Sequence, residues 1–417
     1  MLSYNHNFYS NGTILLVDPG STFLYWYRII KKISSNILIC AIWSKNTLKK
    51  NNRWKYSNAW IADLNYFENE NLLFSISKHK PILGIFSCSD SGITLTDQLR
   101  SIFTPNLCND WSKMDVRKNK FCIYEYLKKE GVISTSQWLL KKDMNFLPNI
   151  NWEKSYIIKP LDGVGGENFS YIKSENDLKK YLQKTNDHDF FILQDEIVGI
   201  EFSVDMISKN GKHQLLAMWI YTKNQNSHIK EEVDLIRLNN ENPNFLLHKA
   251  IQFVRQVLDT IGINFGPSHT EISIDKSKNE IKLIEVNLRL HGHLDEDIQT
   301  KIFDASQSYL SILSLKDDFE FDGLNFSYNS KANLKKIFCN NKVNKYIKYI
   351  NWNDVDNFVI NNYYKIYKHD YLLPNIIEPT NSVQNCLGVI MMLQESNDVI
   401  WKKEIDLVRN WKKQLVE

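Results

Sequence analysis

The 417 residues carry 51 Lys and Arg against 48 Asp and Glu, for a formal net charge of +3, with 43% hydrophobic and 24% charged residues. A chain of this length exceeds what one hydrophobic core usually organises, so two or three domains are expected. Charges of both signs spread along the chain exclude a nucleic-acid-coating or disordered protein, and no apolar run approaches the ~20 residues of a membrane helix.

The opening MLSYNHNFYSNG lacks a basic stretch followed by a long apolar one, so a cytoplasmic protein with no secretion signal is expected. Cys40, Cys88, Cys108, Cys122, Cys339 and Cys386 show no paired spacing and read as buried thiols in a reducing compartment. TILLVDPG, STFLYWYRIIKKI, NILICAIW and PILGIFSCSD read as strand, helix, strand and strand, the start of an open α/β domain over residues 1–112. The Pro19-Gly20-Ser21 turn lacks the spacing of a dinucleotide fingerprint, so no nicotinamide cofactor is placed there.

In DVRKNKFCIYEYLKKEGV, Phe121, Tyr124 and Leu127 recur at helical spacing and Gly131 supplies a stop. SYIIKP, NFSYI, FFILQ and EFSVDMI follow as β-rich segments of an α+β stretch. Among them lies SENDLKKYLQK, in which Ser174 and Asp177 have the spacing of a capping box. In FLLHKAIQFVRQVLDTIG, Leu247, Ala250, Ile251, Val254 and Leu258 share a face and Gly262 ends the helix. HTEISI and IKLIEVN form a hairpin across DKSKNE, and the tail closes with the strand LGVIMMLQ and a final helix.

Strand alternation sorts the hairpin residues into two faces. Ile284, Val286 and Leu288 face one way and Glu285, Asn287 and Arg289 the other, while His269 and Glu271 alternate against Thr270, Ile272 and Ile274. Two carboxylates and an amide oxygen suit a hard cation that bridges phosphate oxygens, and an adjacent guanidinium suits the charge of a phosphoryl-transfer state. An ordinary half-buried hairpin with a solvated polar face is an equal reading of the pattern alone. In YIIKPLDGVGGENFSYI, Lys159 precedes Gly163, Gly165 and Gly166, so the segment is not a Walker motif but a strand-turn-strand flap able to cradle phosphates. FILQDEIVGIEFSVD is the third element, a strand and connector able to read an adenine edge, with Glu201 placed for ribose hydroxyls.

In this order the three segments, over roughly residues 115–293, resemble the ATP-grasp superfamily, and GPSHTEI and LIEVNLR resemble the strings of its L-amino-acid ligases. The resemblance implies α/β and α+β architecture: an ATP-grasp fold with a Rossmann-like N-terminal domain (1–112), a central ATP-grasp subdomain (113–205) and a C-terminal catalytic domain (206–417). It implies ATP and Mg²⁺ as cofactors, with Mn²⁺ as the alternative ion. Lys120 and Lys159 would contact the α- and β-phosphates, and Gly163, Gly165 and Gly166 would form the phosphate loop. Gln194, Asp195, Glu196 and Ile197 would form the adenine hinge, with Glu201 on the ribose. Glu271, Glu285 and Asn287 would bind the metal, and Arg289 would support the acyl-phosphate and tetrahedral states.

Two departures bear on substrate. Gln194 stands where the family usually has Glu, and after Arg289 the chain reads LHGHLDED where glycines are usual. His291, Gly292 and His293 are therefore candidates for the substrate site. Asp295, Glu296 and Asp297 read either as a receiver for a cationic group or, more readily, as a solvated acidic helix start. His269 reads as catalytic, because it shares a face with Glu271, or as a hydrogen-bonded strand histidine beside the metal.

The expected activity is ATP-dependent joining of a carboxylate to an amine through an acyl phosphate. Its two small-molecule substrates are expected to be amino acids, joined as a dipeptide, with a homodimer as the assembly often seen among such ligases. The rivals are a ligase or carboxylase acting on a nucleotide precursor or carrier-bound biotin, and a non-catalytic nucleotide sensor. A sensor would have lost its metal ligands or Arg289, and all four residues are present.

Overall fold

Strands buried on both faces of a parallel sheet read as unbroken apolar runs, and the N-terminal segment builds such a sheet. The structure, a computed structural model, describes residues 11–20, 22–44, 61–144, 148–163, 166, 168–185, 188–223, 229–236, 245–292, 294, 296–322, 332–340, 345–347, 365–368, 375–377, 380, 386–395, 402, 405–406 and 409–410. The chain forms two compact units that interleave along the sequence. The first takes residues 1–134, 203–218 and 238–328, and the second takes 135–202, 219–237 and 329–417.

The first unit opens with β1 (Gly12–Val17), α1 (Phe23–Ile33), β2 (Ile37–Trp43), β3 (Ile61–Asn65), α2 (Tyr66–His79), β4 (Ile82–Ser87) and α3 (Ile93–Phe103). The strands pair in parallel in the order β3-β2-β1-β4. The order reverses at β1, so the carboxyl ends of β1 and β4 border the crevice where open α/β sheets bind ligands. Leu15, Val17, Cys40, Ile42 and Ile85 pack with Leu73 of α2 and Leu95 and Leu99 of α3. From α1, Trp26 stacks on Phe86 with ring centroids 4.2 Å apart. Cys40, Cys88, Cys339 and Cys386 are buried as expected, whereas Cys108 and Cys122 are only half-buried.

Helix α4 (Lys120–Lys129) begins at Asn119, whose side chain accepts from the Cys122 amide. Its end is a Schellman motif, in which Val132 N–H donates to Leu127 O at 2.9 Å and Gly131 N–H to Lys128 O at 3.1 Å. The buried residues are Ile123, Tyr124 and Leu127. Phe121, expected among them, is half-buried, because the inward face centres on Tyr124, whose hydroxyl donates to Ile284 O at 3.0 Å.

In the second unit, β5 (Gln137–Lys141), β6 (Tyr156–Pro160), β7 (Ser170–Ile172) and β8 (Phe190–Asp195) form an antiparallel sheet in the order β5-β8-β6-β7. Helix α5 (Glu175–Lys184) lies between β7 and β8 in sequence, and its Leu178 and Leu182 share a core with Tyr156, Ile158, Phe191 and Leu193. Its cap is the expected one: Ser174 Oγ accepts from Asp177 N–H at 3.1 Å, and the Asp177 carboxylate accepts from Lys173 N–H at 3.3 Å.

The next strands are β9 (Ile200–Lys209), β10 (Lys212–Lys223) and β11 (Lys230–Leu235). Asn210 and Gly211 both take positive φ, 52° and 73°, between β9 and β10, as a two-residue hairpin turn requires. Helix α6 (Phe245–Thr260) buries Ala250, Ile251, Val254, Val257 and Leu258, with Leu247 half-buried in its first turn. Gly262 ends α6 at φ 74°, and a Cβ there would lie 2.5 Å from Asp110 Cβ. Strands β12 (Gly266–Asp275) and β13 (Glu280–Asn287) complete the order β13-β12-β9-β10, followed by α7 (Glu296–Phe303) and α8 (Gln307–Leu313).

The second unit ends with β14 (Ala332–Cys339), β15 (Lys345–Ile347), β16 (Lys365–Lys368), β17 (Asn375–Ile377) and β18 (Gly388–Glu395). Strand β14 pairs antiparallel with both β11 and β18, so the LGVIMMLQ strand returns to a sheet as expected. The final helix falls mostly outside the described residues.

Candidate active site

The β12–β13 hairpin turns on Asp275, whose carboxylate accepts from Ser277 N–H and Oγ–H and from Lys278 N–H. From the turn the register runs Asp275↔Glu280 to Ile272↔Leu283, then shifts by one residue to give Glu271↔Glu285, Thr270↔Val286 and His269↔Asn287. This bulge adds a residue on β13 and re-aims the side chains beyond it. Unbroken, the ladder would set Glu271 against Ile284. The alternation read from sequence is corrected accordingly: Leu283 is the buried residue here, while Ile284 is half-buried at the bulge.

Glu271 and Glu285 thus stand directly opposite each other, an arrangement unfavourable for two like charges. Lys120 Nζ approaches Glu285 Oε1 at 3.3 Å, and His269 Nε2 approaches Glu271 Oε1 at 3.4 Å. A divalent cation at the paired carboxylates, with the Asn287 side chain on the same strand as Glu285, would relieve the repulsion further. The donor set, two carboxylates and an amide oxygen, suits Mg²⁺. Arg289 donates from Nη2 to Asp90 Oδ2 at 2.9 Å and from Nη1 to Leu290 O at 3.0 Å. Burial alone would lower its pKa, but Asp90, Glu285 and Glu271 outweigh burial and hold it above the ordinary value.

Behind His269 lies Asp205 of β9, only 1% exposed. Its Oδ1 accepts from His269 Nδ1 at 2.7 Å and its Oδ2 from His291 Nδ1 at 2.8 Å. The imidazole centroids are 4.2 Å apart and the rings are tilted by 45°. Burial would push the Asp205 carboxyl up, yet the histidines, His291 most, hold it far below the usual carboxylate range. Burial likewise opposes the charged form of His269, but Asp205 and Glu271 raise its pKa.

In the second unit, Lys159 lies in β6 next to Pro160. A Cβ on Gly163 would lie 3.2 Å from the Pro160 ring, and Gly166 has φ 82°, so both positions favour glycine; Gly165 lies outside the described residues. Gln194, at the end of β8, is 1% exposed, and among the described residues neither polar atom of its amide has a hydrogen-bond partner. Leaving such a group unsatisfied costs about 1–3 kcal/mol. A glutamine amide matches the N6 and N7 edge of adenine, so the orphaned group fits ATP. Asp195 N–H donates to Ser136 O, the Asp195 carboxylate accepts from Ser136 N–H, and Ser155 O accepts from Glu196 N–H, which fixes the connector that continues through Ile197. Glu201 accepts from Lys223 Nζ.

The first unit therefore gathers Lys120, His269, Glu271, Glu285, Asn287 and Arg289, while the second carries Lys159, Gly163, Gly166, Gln194 to Ile197 and Glu201. His291 is buried against Asp205, Gly292 follows in a turn, and His293 lies outside the described residues. Of the acidic trio, Glu296 is buried and accepts from Ser308, whereas Asp297 is exposed 4.0 Å from Lys32; Asp295 lies outside the described residues. Sequence reasoning missed Asp205, whose histidine partners lie 64 and 86 residues away.

The fold is the ATP-grasp fold, and the ATP-grasp domain family matches residues 117–293. Over those residues the chain resembles the ATP-grasp domain family. It is 25% identical over 264 residues to dapdiamide A synthase of Enterobacter agglomerans, an alignment covering 59% of this chain and 60% of that relative, under two thirds of its length. The fold is shared with the solved L-amino acid ligase from Bacillus licheniformis, at TM-score 0.73 and 14% identity over 97% of this chain and 98% of that one. It is also shared with carboxyaminoimidazole ribonucleotide synthase from Aspergillus clavatus complexed with ATP, at TM-score 0.66 and 11% identity over 97% and 99%. Among the described residues no helix is long and apolar enough to cross a membrane.

Proposed function

We propose that the chain is an ATP-dependent, ADP-forming carboxylate–amine ligase that joins two amino acids into a dipeptide. The observation that carries this reading is the opposition of Glu271 and Glu285 across the bulged hairpin, with Lys120 and Arg289 beside them. Like charges held face to face are costly in an empty scaffold and useful beside a cation. Glu271, Glu285 and Asn287 would hold Mg²⁺, which would supply neutralisation of the phosphate charge.

A carboxylate is a poor acyl donor because its leaving group would be oxide. A substrate carboxylate oxygen therefore attacks the γ-phosphorus of ATP, the bond to the ADP oxygen breaks, and an acyl phosphate forms. The amine nitrogen of the second substrate, having lost a proton, then attacks the acyl carbon and expels phosphate. Lys120 and Lys159 would hold ATP phosphates, and the loop of Gly163, Gly165 and Gly166 would cover them and exclude water. Gln194 to Ile197 would read adenine, Glu201 would exchange Lys223 for the ribose hydroxyls, and Arg289 would stabilise charge on the reacting acyl oxygen. Draw on ATP and free amino acids fits a cytoplasmic location.

The test is phosphate release from ATP and Mg²⁺ with the twenty L-amino acids, singly and in pairs, with mass spectrometry of the products. Release that depends on amino acids, with a dipeptide mass, is expected. Silence across the panel would instead favour another acceptor or a carrier-bound substrate. Glu285→Ala should lower turnover to background while leaving the circular dichroism spectrum and melting temperature near those of the parent; retained turnover in a folded variant would remove Glu285 from the metal site.

A further inference from the structure

We infer that Asp205 is a positioning residue which, pinned by His291, fixes the His269 ring and through it the Glu271 carboxylate. Asp205 is buried, and each of its oxygens is committed to one imidazole, at 2.7 Å and 2.8 Å. An ionised carboxylate only accepts, so both Nδ1 atoms carry protons and both tautomers are set by one side chain. His269 is thereby left to present Nε2 to Glu271 Oε1, 3.4 Å away. The chain Asp205–His269–Glu271 runs from β9 to the paired carboxylates of the hairpin.

The arrangement parallels the carboxylate–histidine pairs that orient metal ligands from outside, where a change of partner typically lowers metal affinity about 10- to 100-fold. A second observation favours this use. Burying a charged carboxylate is costly unless its lone pairs are satisfied, and here two separate segments, β12 and the stretch after β13, deliver histidines for that purpose. His291 holds Asp205 through its other oxygen, with its own backbone N–H anchored to Gln307 Oε1 at 2.9 Å. Asp205, His269 and His291 bring their ligand atoms within 4.8 Å of one another, so the zinc arm of the test below separates a hydrogen-bonded triad from a cation site. The functional part of the inference rests on the proposed metal role of Glu271 and Glu285.

The test is Mn²⁺ binding, read by electron paramagnetic resonance in the presence of a non-hydrolysable ATP analogue, for the full chain and for Asp205→Asn, His269→Gln, the double variant and Glu285→Ala. Asp205→Asn should weaken Mn²⁺ on the order of tenfold, with binding of the analogue alone unchanged. The double variant should be no weaker than His269→Gln, because Asp205 acts through His269. Parent-like Mn²⁺ affinity in a folded Asp205→Asn, or additive losses in the double variant, would overturn the inference. Should Asp205→Asn fail to fold, His269→Gln decides: weakened Mn²⁺ supports the chain of contacts and parent-like Mn²⁺ overturns it. Glu285→Ala separates the two levels, since loss there beside a parent-like Asp205→Asn sinks only the role of Asp205, whereas no loss there sinks both. Stoichiometric zinc in the purified protein that Asp205→Asn releases would also overturn it.

Discussion

Arg117 and Asp97 meet in the first unit with almost no exposure, and their setting shows what a buried ion pair requires. Arg117 Nε donates to Asp97 Oδ2 at 2.8 Å, Nη1 to Ile261 O at 2.9 Å and Nη2 to Asp110 O at 2.9 Å. Asn109 Nδ2 supplies Asp97 Oδ1 at 3.0 Å, so both carboxylate oxygens are satisfied. Removing one partner of such a pair leaves an uncompensated buried charge. Arg117→Ala should therefore destabilise the protein by about 3–5 kcal/mol, measured by urea unfolding, whereas replacing the exposed Lys179 of its helix pair with Glu175 should shift stability by under about 1 kcal/mol. Asp205 obeys the same rule with two histidines. Neither cluster was legible in the sequence: Arg117 stood in a basic stretch and Asp205 in an ordinary strand, and their partners come from segments far along the chain. Glu271, Glu285, Asn287 and Arg289 were legible because they crowd two adjacent strands joined by a short turn.

Helix ends and turns were the most readable elements, since their signals act over a few residues. Ser174 caps α5, and Gly131 and Gly262 end α4 and α6 with left-handed φ, as their residue types foretold. The β12–β13 bulge was not readable, because a period-two pattern carries no mark of where a residue is inserted. Its consequence is large: the inserted position decides that Glu285, and not Ile284, opposes Glu271. Gly262 tests the local argument. Its φ of 74° and the 2.5 Å approach to Asp110 Cβ leave no room for a methyl group, and Asp110 N–H also donates to Gly262 O at 2.9 Å. Gly262→Ala should destabilise the first unit by more than the ~1 kcal/mol of an ordinary left-handed alanine, read as a lowered urea midpoint with unchanged slope. Gly131→Ala, with the same φ but nothing near its Cβ, should show only the smaller loss.

Across the whole molecule, both units store carboxylates whose ionised form the fold prefers. In the second unit, Glu232 of β11 accepts from Lys335 of β14 at 2.7 Å and from Arg409 at 2.6 Å and 2.7 Å. Burial would raise its pKa, but Arg409 and Lys335 bring it down to about 2. In the first unit, the histidines hold Asp205 further below the carboxylate range. A carboxylate with a depressed folded pKa binds fewer protons folded than unfolded, so stability rises with pH through the interval between its two pKa values. Its contribution is complete above the unfolded pKa of about 4 and fades as pH falls toward the folded one. Unfolding free energy should thus fall steadily from about pH 5 toward pH 2, well below any titration of the ten histidines in the unfolded chain. Glu232→Gln should lose up to about 3 kcal/mol at pH 7 and show a shallower fall below pH 4.5, because the variant no longer has that proton to take up. Urea unfolding of parent and variant at half-unit steps between pH 7 and pH 3 measures both. Parallel pH curves for the two proteins would mean that Lys335 and Arg409 serve Glu232 through packing rather than charge.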